Sequence, residues 1–240
     1  MSGREVSGAR GAGVAVEAVV LALLGAVCVG CGGSDASGGS EGAGGGKAGA
    51  VVDDGPHKLV APKTVLGGYR TVDGITSAGL EGHARLGVRD AENVQAVYGS
   101  GAKGNPMGGG MIQFTGVYGK IADPEKTVDA MFSDLEDKAE KKGRGGERNE
   151  MLGTPQDFDA DGAVLKCQAT KVSQGSAAGT GSGPEEARTA RMALCAWADR
   201  STAAVVLPMD VRAIKAGRAT PLREAAETTR KLRAEVRVER

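Results

Sequence analysis

The alternation of apolar and polar positions separates an apolar leader, a long aperiodic stretch and a patterned part from about residue 61 onward. In the patterned part, short alternating runs predict strands at Val65–Val72 (VLGGYRTV) and Asn93–Tyr98 (NVQAVY). Met111–Tyr118 (MIQFTGVY) predicts a further strand with Ile112, Phe114 and Tyr118 on one face. The glycine-rich stretch Gly99–Gly110 between them reads as a loop. Asp123-Pro124-Glu125 predicts a helix start, because Asp caps, Pro fits the first turn and Glu suits the positive end of the dipole. Val128, Met131, Phe132, Leu135 and Ala139 then recur at helical spacing, and Lys141-Lys142-Gly143 ends the pattern. The opposite face (Asp134, Glu136, Asp137, Lys138) reads as solvated. Ala163–Lys171 predicts a strand, and Arg191–Ala198 with Thr202–Leu207 predicts a hairpin turning near Asp199-Arg200-Ser201. Thr220-Pro221 opens a last helix that buries Leu222, Ala225, Ala226, Thr229 and Leu232. This order predicts an α+β fold, a mostly antiparallel sheet covered by two amphipathic helices.

The leader is an address. Arg4 and Arg10 precede Ala18–Gly30, thirteen residues without a charge, and Glu17 blocks its extension. Crossing a bilayer takes ~20 apolar residues, so the run matches a secretory signal peptide better than a span. Val29-Gly30 before Cys31 resembles a bacterial lipobox, although Cys28 stands where Leu is usual. The resemblance implies cleavage before Cys31 and a diacylglycerol on its sulfur, which would hold the chain to the outer face of a membrane. An uncleaved anchor helix and a freely secreted form are the alternatives, and all three export the chain. Cys28 and Cys31 also make a C-x-x-C pair, but the redox and zinc readings need a βαβ context or a second cysteine pair. From Gly32 to about Val60 the Gly/Ser-rich chain reads as a flexible linker reaching about 30 Å, with His57 a solvated residue in it. The expected division is residues 1–30 signal peptide, 31–60 lipidated cysteine and linker, and 61–240 extracytoplasmic domain.

Charge narrows the partners. Thirty basic and thirty acidic residues leave no net field to attract nucleic acid or anionic lipid. Forty glycines and 3% aromatics assign the core to Val, Leu, Ile, Met and Ala around the single Trp197. Cys167 and Cys195 each fall within a predicted strand, so outside the cytoplasm a disulfide between them is expected. Closing a loop of about 29 residues would stabilise the fold by roughly 3–4 kcal/mol.

Two motifs invite ligands. Gly99-Ser100-Gly101-Ala102-Lys103-Gly104 matches G-x-G-x-x-G, but a predicted strand follows where dinucleotide binding needs a helix. Asp157-Phe158-Asp159-Ala160-Asp161-Gly162 resembles the start of an EF-hand loop, with Val164 suitably apolar. Its twelfth position is Gln168, where the calcium loop needs a bidentate Glu. Of the two histidines, neither His57 nor His83 lies in a nucleophile-elbow context. Arg188, Arg191, Arg230, Lys231 and Arg233 read as a solvated basic face.

Lys166-Cys167-Gln168, Cys195-Ala196-Trp197-Ala198-Asp199, Ser201-Thr202 and the helix opening Ile121–Pro124 together resemble a group of exported proteins of high-GC actinobacteria. In those, a lipobox or single anchor precedes a Gly/Pro/Ser-rich linker and one domain. The resemblance implies no activity and carries no functional residue. The order of elements is more distantly similar to Mog1/PsbP-like lipoproteins, which implies an α/β/α sandwich and, at fold level, no function. The expectation is a non-enzymatic, membrane-anchored domain that binds an envelope protein or small ligand, with no cofactor and no nucleic acid. The alternatives are a cell-envelope hydrolase with an unrecognised acid pair and a calcium-stabilised sensor or adhesion module.

Overall fold

The computed structural model describes residues 50–75, 79–106, 108–141, 148–173 and 189–240. They form an α+β fold built on one antiparallel sheet. Strands β4 (Val88–Gly99) and β5 (Gly110–Ile121) form a hairpin around the predicted glycine-rich loop. Helix α1 (Pro124–Glu140) then carries the chain to the far edge, where β6 (Arg148–Phe158) begins. From there β7 (Val164–Ser173), β8 (Thr189–Ala198) and β9 (Thr202–Asp210) return strand by strand until β9 pairs with β5. With β2 (Thr64–Val65) and β3 (Tyr69–Thr71) on the other edge, the order is β2-β3-β4-β5-β9-β8-β7-β6.

A short helix α2 (Val211–Lys215) and the longer α3 (Leu222–Val236) follow β9. The last strand, β10 (Arg237–Glu239), pairs antiparallel with β1 (His57–Leu59), so the two ends of the fold meet in a ribbon. Among the described residues no helix is long and apolar enough to cross a membrane.

The sheet is buried on both faces through its centre, because successive side chains alternate sides. On one face Val117, Ile121, Leu194, Ala196 and Ala198 pack with Val128, Met131 and Phe132 of α1. On the other, Phe114, Leu165, Trp197 and Val206 pack with Ala225, Ala226 and Leu232 of α3. Trp197 stacks on Phe114 with ring centroids 6.0 Å apart. The near-continuous apolar run MALCAWA in β8 follows from this two-sided burial. Helix α1 starts as expected: the Asp123 carboxylate accepts the Lys126 N–H at 3.2 Å.

Four expectations change. The predicted strand Val65–Val72 is two short strands, because Leu66 and Gly67 take positive φ (51° and 68°) and reverse the chain. The Leu66 N–H there donates to the Glu235 carboxylate at 2.9 Å. Strand β6 carries no alternating apolar pattern because it is an edge strand, interrupted by a bulge between Leu152 and Gln156 that accommodates Pro155. The segment Val51–Val60, read as linker, packs on the domain: Val52 N–H donates to Gly162 O (2.9 Å), Val60 N–H to Val236 O (2.8 Å), and Leu59 is buried. His57 is accordingly buried, with Nδ1 3.0 Å from the Gly55 carbonyl oxygen.

Candidate functional site

Cys167 and Cys195 stand directly opposite each other on β7 and β8 and form a disulfide. Both are fully buried beside Trp197 on the α3 face, so the bridge belongs to the core. Cys31 and Cys28 lie outside the described residues, as does Arg188.

The two tempting motifs resolve into turns. Gly99–Gly104 begins the β4–β5 hairpin loop, closed by Gly101 N–H to Pro106 O (2.8 Å) and Gly110 N–H to Ser100 Oγ (2.7 Å), and β5 follows directly. The Asp157–Asp161 stretch joins β6 to β7, and two of its three carboxylates, Asp157 and Asp161, turn to protein cations. Asp157 lies 4.0 Å from Lys166 Nζ and Asp161 lies 3.2 Å from Arg230. Lys166 also pairs with Glu125 and with Asp129 (2.7 Å), tying α1 to the sheet. Burial lowers the affinity of Lys166 for its proton, but hydrogen bonds from its ammonium to Asp129 and Glu125 outweigh this and hold its pKa above the usual lysine value. Gln168 is buried with its Nε2 donating to Gly153 O (2.8 Å). Among the described residues no three His, Cys, Asp or Glu side chains are arranged to hold a metal ion.

Arg233, expected in a solvated face, is buried and pairs with Asp199 at 2.9 Å. Asp199 ends β8 and collects the β8–β9 turn: its carboxylate accepts from Ser201 N–H (2.9 Å), Thr202 N–H (2.8 Å) and Thr202 Oγ1 (2.7 Å). Arg237 of β10 donates to the same carboxylate through Nε (2.9 Å) and to Asp54 through a terminal nitrogen (2.8 Å). Burial pushes the Asp199 carboxyl up. The hydrogen bonds from Thr202, Ser201 and Arg233, with the Arg233 charge, push harder and hold it below the usual carboxylate range. This network fastens the first and last strands to the sheet.

Beside it opens a cleft of about 340 Å³. The segment before β1 with its first residue (Asp53, Pro56, His57) forms one wall, and the end of β5 with the β8–β9 turn forms the base. Four cations line the cleft, Arg89, Lys120, Arg200 and Arg240, against one carboxylate, Asp53. Two of the four are neutralised. Lys120 pairs with Asp90 (2.9 Å), and Arg240 pairs with Glu92 (3.1 Å) while lying 5.1 Å over the Tyr118 ring. Arg200 donates to the Ala122 carbonyl oxygen and forms no ion pair with another described residue, although Asp123 feels its charge at longer range. Arg89 is exposed and forms no hydrogen bond or ion pair with another described residue, although Asp90 feels its charge at longer range. Two guanidinium charges therefore face solvent in one concavity of a protein with no net charge.

This site carried no signal in sequence. Its four cations lie in β4, in β5, in the β8–β9 turn and at the C-terminal residue, and no run of basic residues marks any of them. A smaller notch between α1 and the turn before β4 is lined by Glu81, Arg85, Asp134 and Asp137. Asp134 there is held by Lys138 (2.6 Å), and His83 faces Asn93 (3.3 Å). An apolar groove runs between the end of α1 and the sheet, lined by Leu135, Met151, Met192, Leu194 and Leu207. No protein-family model and no curated protein matches the chain.

Proposed function

We propose that this chain is a lipid-anchored extracytoplasmic binding protein without catalytic activity of its own. Cys31 carries the lipid, the residues after it form a spacer, and the domain binds an anionic envelope component in the Arg89–Arg200 cleft. The observation that carries the binding reading is the pair of exposed guanidiniums in that cleft that form no ion pair with a described residue. Guanidinium groups match oxyanions by paired N–H donors, and a concavity strengthens the attraction by excluding water. The anchor rests on the leader and on Cys31 behind Val29-Gly30, together with the resemblance to exported actinobacterial lipoproteins.

Two measurements test it. Wild-type protein should pellet with membranes and incorporate labelled fatty acid, whereas Cys31→Ser should do neither. Intact Met1 with an unmodified Cys31 on soluble intracellular protein would end the anchor reading. For binding, Arg89→Glu/Arg200→Glu should abolish retention on an anionic matrix at low salt. Arg212→Glu/Arg218→Glu, with the same net charge and both sites outside the cleft, should retain it. Equal loss in the two variants would mean that overall charge, and not the cleft, governs binding.

A further inference from the structure

We infer that the cleft takes a small phosphorylated polyol, its phosphate on Arg89 and Arg200 and its hydroxyls toward Asp53. This rests on the reading of the cleft as the binding face. Three features of the lining narrow the ligand. The first is charge. Lys120 and Arg240 are already in ion pairs, so the guanidiniums left without one are those of Arg89 and Arg200, which Asp90 and Asp123 feel only at longer range. A phosphate monoester carries about −1.5 to −2 at neutral pH, whereas a carboxylate carries one charge. Its oxygens also accept the paired donors of a guanidinium.

The second is the acid in the same lining. Asp53 would repel a second anionic group but accepts hydrogen bonds from hydroxyls. One of its oxygens already takes the Gly55 N–H at 3.3 Å, which holds the carboxylate against the segment before β1. An occupant with phosphate at one end and hydroxyls at the other satisfies both sides of the lining. The third is size. About 340 Å³ exceeds what one phosphate fills and lies at the lower end of the range of small-molecule pockets, roughly 300–1,000 Å³. Arg89 and Lys120 face each other across the β4–β5 ladder, and Ile121 N–H donates to Arg200 O at 3.0 Å. Paired backbone thus joins three of the four cations, so the backbone that carries the lining is fixed.

The test is calorimetric titration of the full chain carrying Cys31→Ser with glycerol 3-phosphate, inorganic phosphate, glycerol and citrate. Glycerol 3-phosphate should bind more tightly than inorganic phosphate, and glycerol should not bind. Arg89→Gln should weaken glycerol 3-phosphate at least tenfold with an unchanged unfolding midpoint, and Arg218→Gln should stay within twofold of the parent. Asp53→Asn should weaken glycerol 3-phosphate while leaving inorganic phosphate equal or tighter, a split that a merely structural role would not produce. Equal affinity for the two phosphates, or no effect of Asp53→Asn, overturns the polyol assignment. Arg89-dependent binding of citrate alone overturns the phosphate assignment yet leaves the cleft an anion site. Binding only to phosphatidylglycerol vesicles, and not to soluble glycerol 3-phosphate, overturns the inference in favour of a lipid headgroup. If none of these anions binds and the anionic matrix fails as well, the reading of the cleft falls too.

Discussion

Asp199 is where single-residue chemistry bears most on this fold. Its carboxylate is 1% exposed and accepts hydrogen bonds from Ser201, Thr202, Arg233 and Arg237. Removing one partner of a buried ion pair leaves the other charge stranded, at a cost of about 3–5 kcal/mol. Asp199→Asn should lose stability on that scale in urea denaturation. The pH dependence follows from the sign of the shift. A carboxyl held below its usual pKa stabilises the fold above the unfolded-state pKa near 4, and that stability is lost as pH falls through the lower folded value. The urea midpoint of the parent should therefore drop below about pH 4, and Asp199→Asn should flatten that limb. Tyr98 behaves oppositely. Burial, reinforced by the Glu235 charge, pushes its phenol up to about 12, and the hydroxyl has no hydrogen-bond partner among the described residues. Its contribution is intact below about pH 10 and is lost as pH rises toward 12. Tyr98→Phe should leave neutral stability unchanged or raised by up to about 1 kcal/mol, and should blunt alkaline unfolding.

At the scale of elements, the β1–β10 ribbon depends on a close approach that only glycine permits. A Cβ on Gly116 would lie 2.4 Å from Leu59 Cδ1 and 3.2 Å from Ala204 Cβ. Gly116→Ala must therefore turn the buried Leu59 side chain aside, loosening its packing on the sheet, or distort β5, at about 1–3 kcal/mol. Hydrogen exchange should locate the effect, with faster exchange at the Val60 amide, which donates to Val236 O, and little change in β7–β8. The disulfide acts on the opposite part of the sheet. Cys167→Ala/Cys195→Ala should lower stability by about 2–4 kcal/mol, and non-reducing peptide mapping of the parent should recover the two cysteines as one linked pair. Helix α1 was legible in sequence because its signals are local: a capping aspartate, a proline in the first turn and one apolar stripe. Strand β6 was not, since an edge strand with both faces largely wet has no alternation to read.

At the scale of the whole molecule, the cleft makes binding a matter of electrostatics on a chain of balanced charge. Arg89 and Arg200 are exposed, so ligand affinity should fall as salt rises from about 0.01 to 0.15 M, where the screening length shortens from roughly 30 to 8 Å. The unfolding midpoint should change far less, because Asp199 and Arg233 are buried and Arg237 is half-buried. Amino-acid order alone was enough for the α+β class, for both long helices, for the central strands and for the pairing of Cys167 with Cys195. Each rests on periodicity, capping or placement within a strand, properties of neighbours along the chain. Tertiary structure alone decided that Val51–Val60 belongs to the fold, that Arg233 lies buried on Asp199, and that Asp157 and Asp161 face Lys166 and Arg230. It also decided that Arg89, Lys120, Arg200 and Arg240 share one cleft. Each of these depends on groups far apart in sequence, whose attraction registers only once the antiparallel sheet has brought strand ends and the β1–β10 ribbon together.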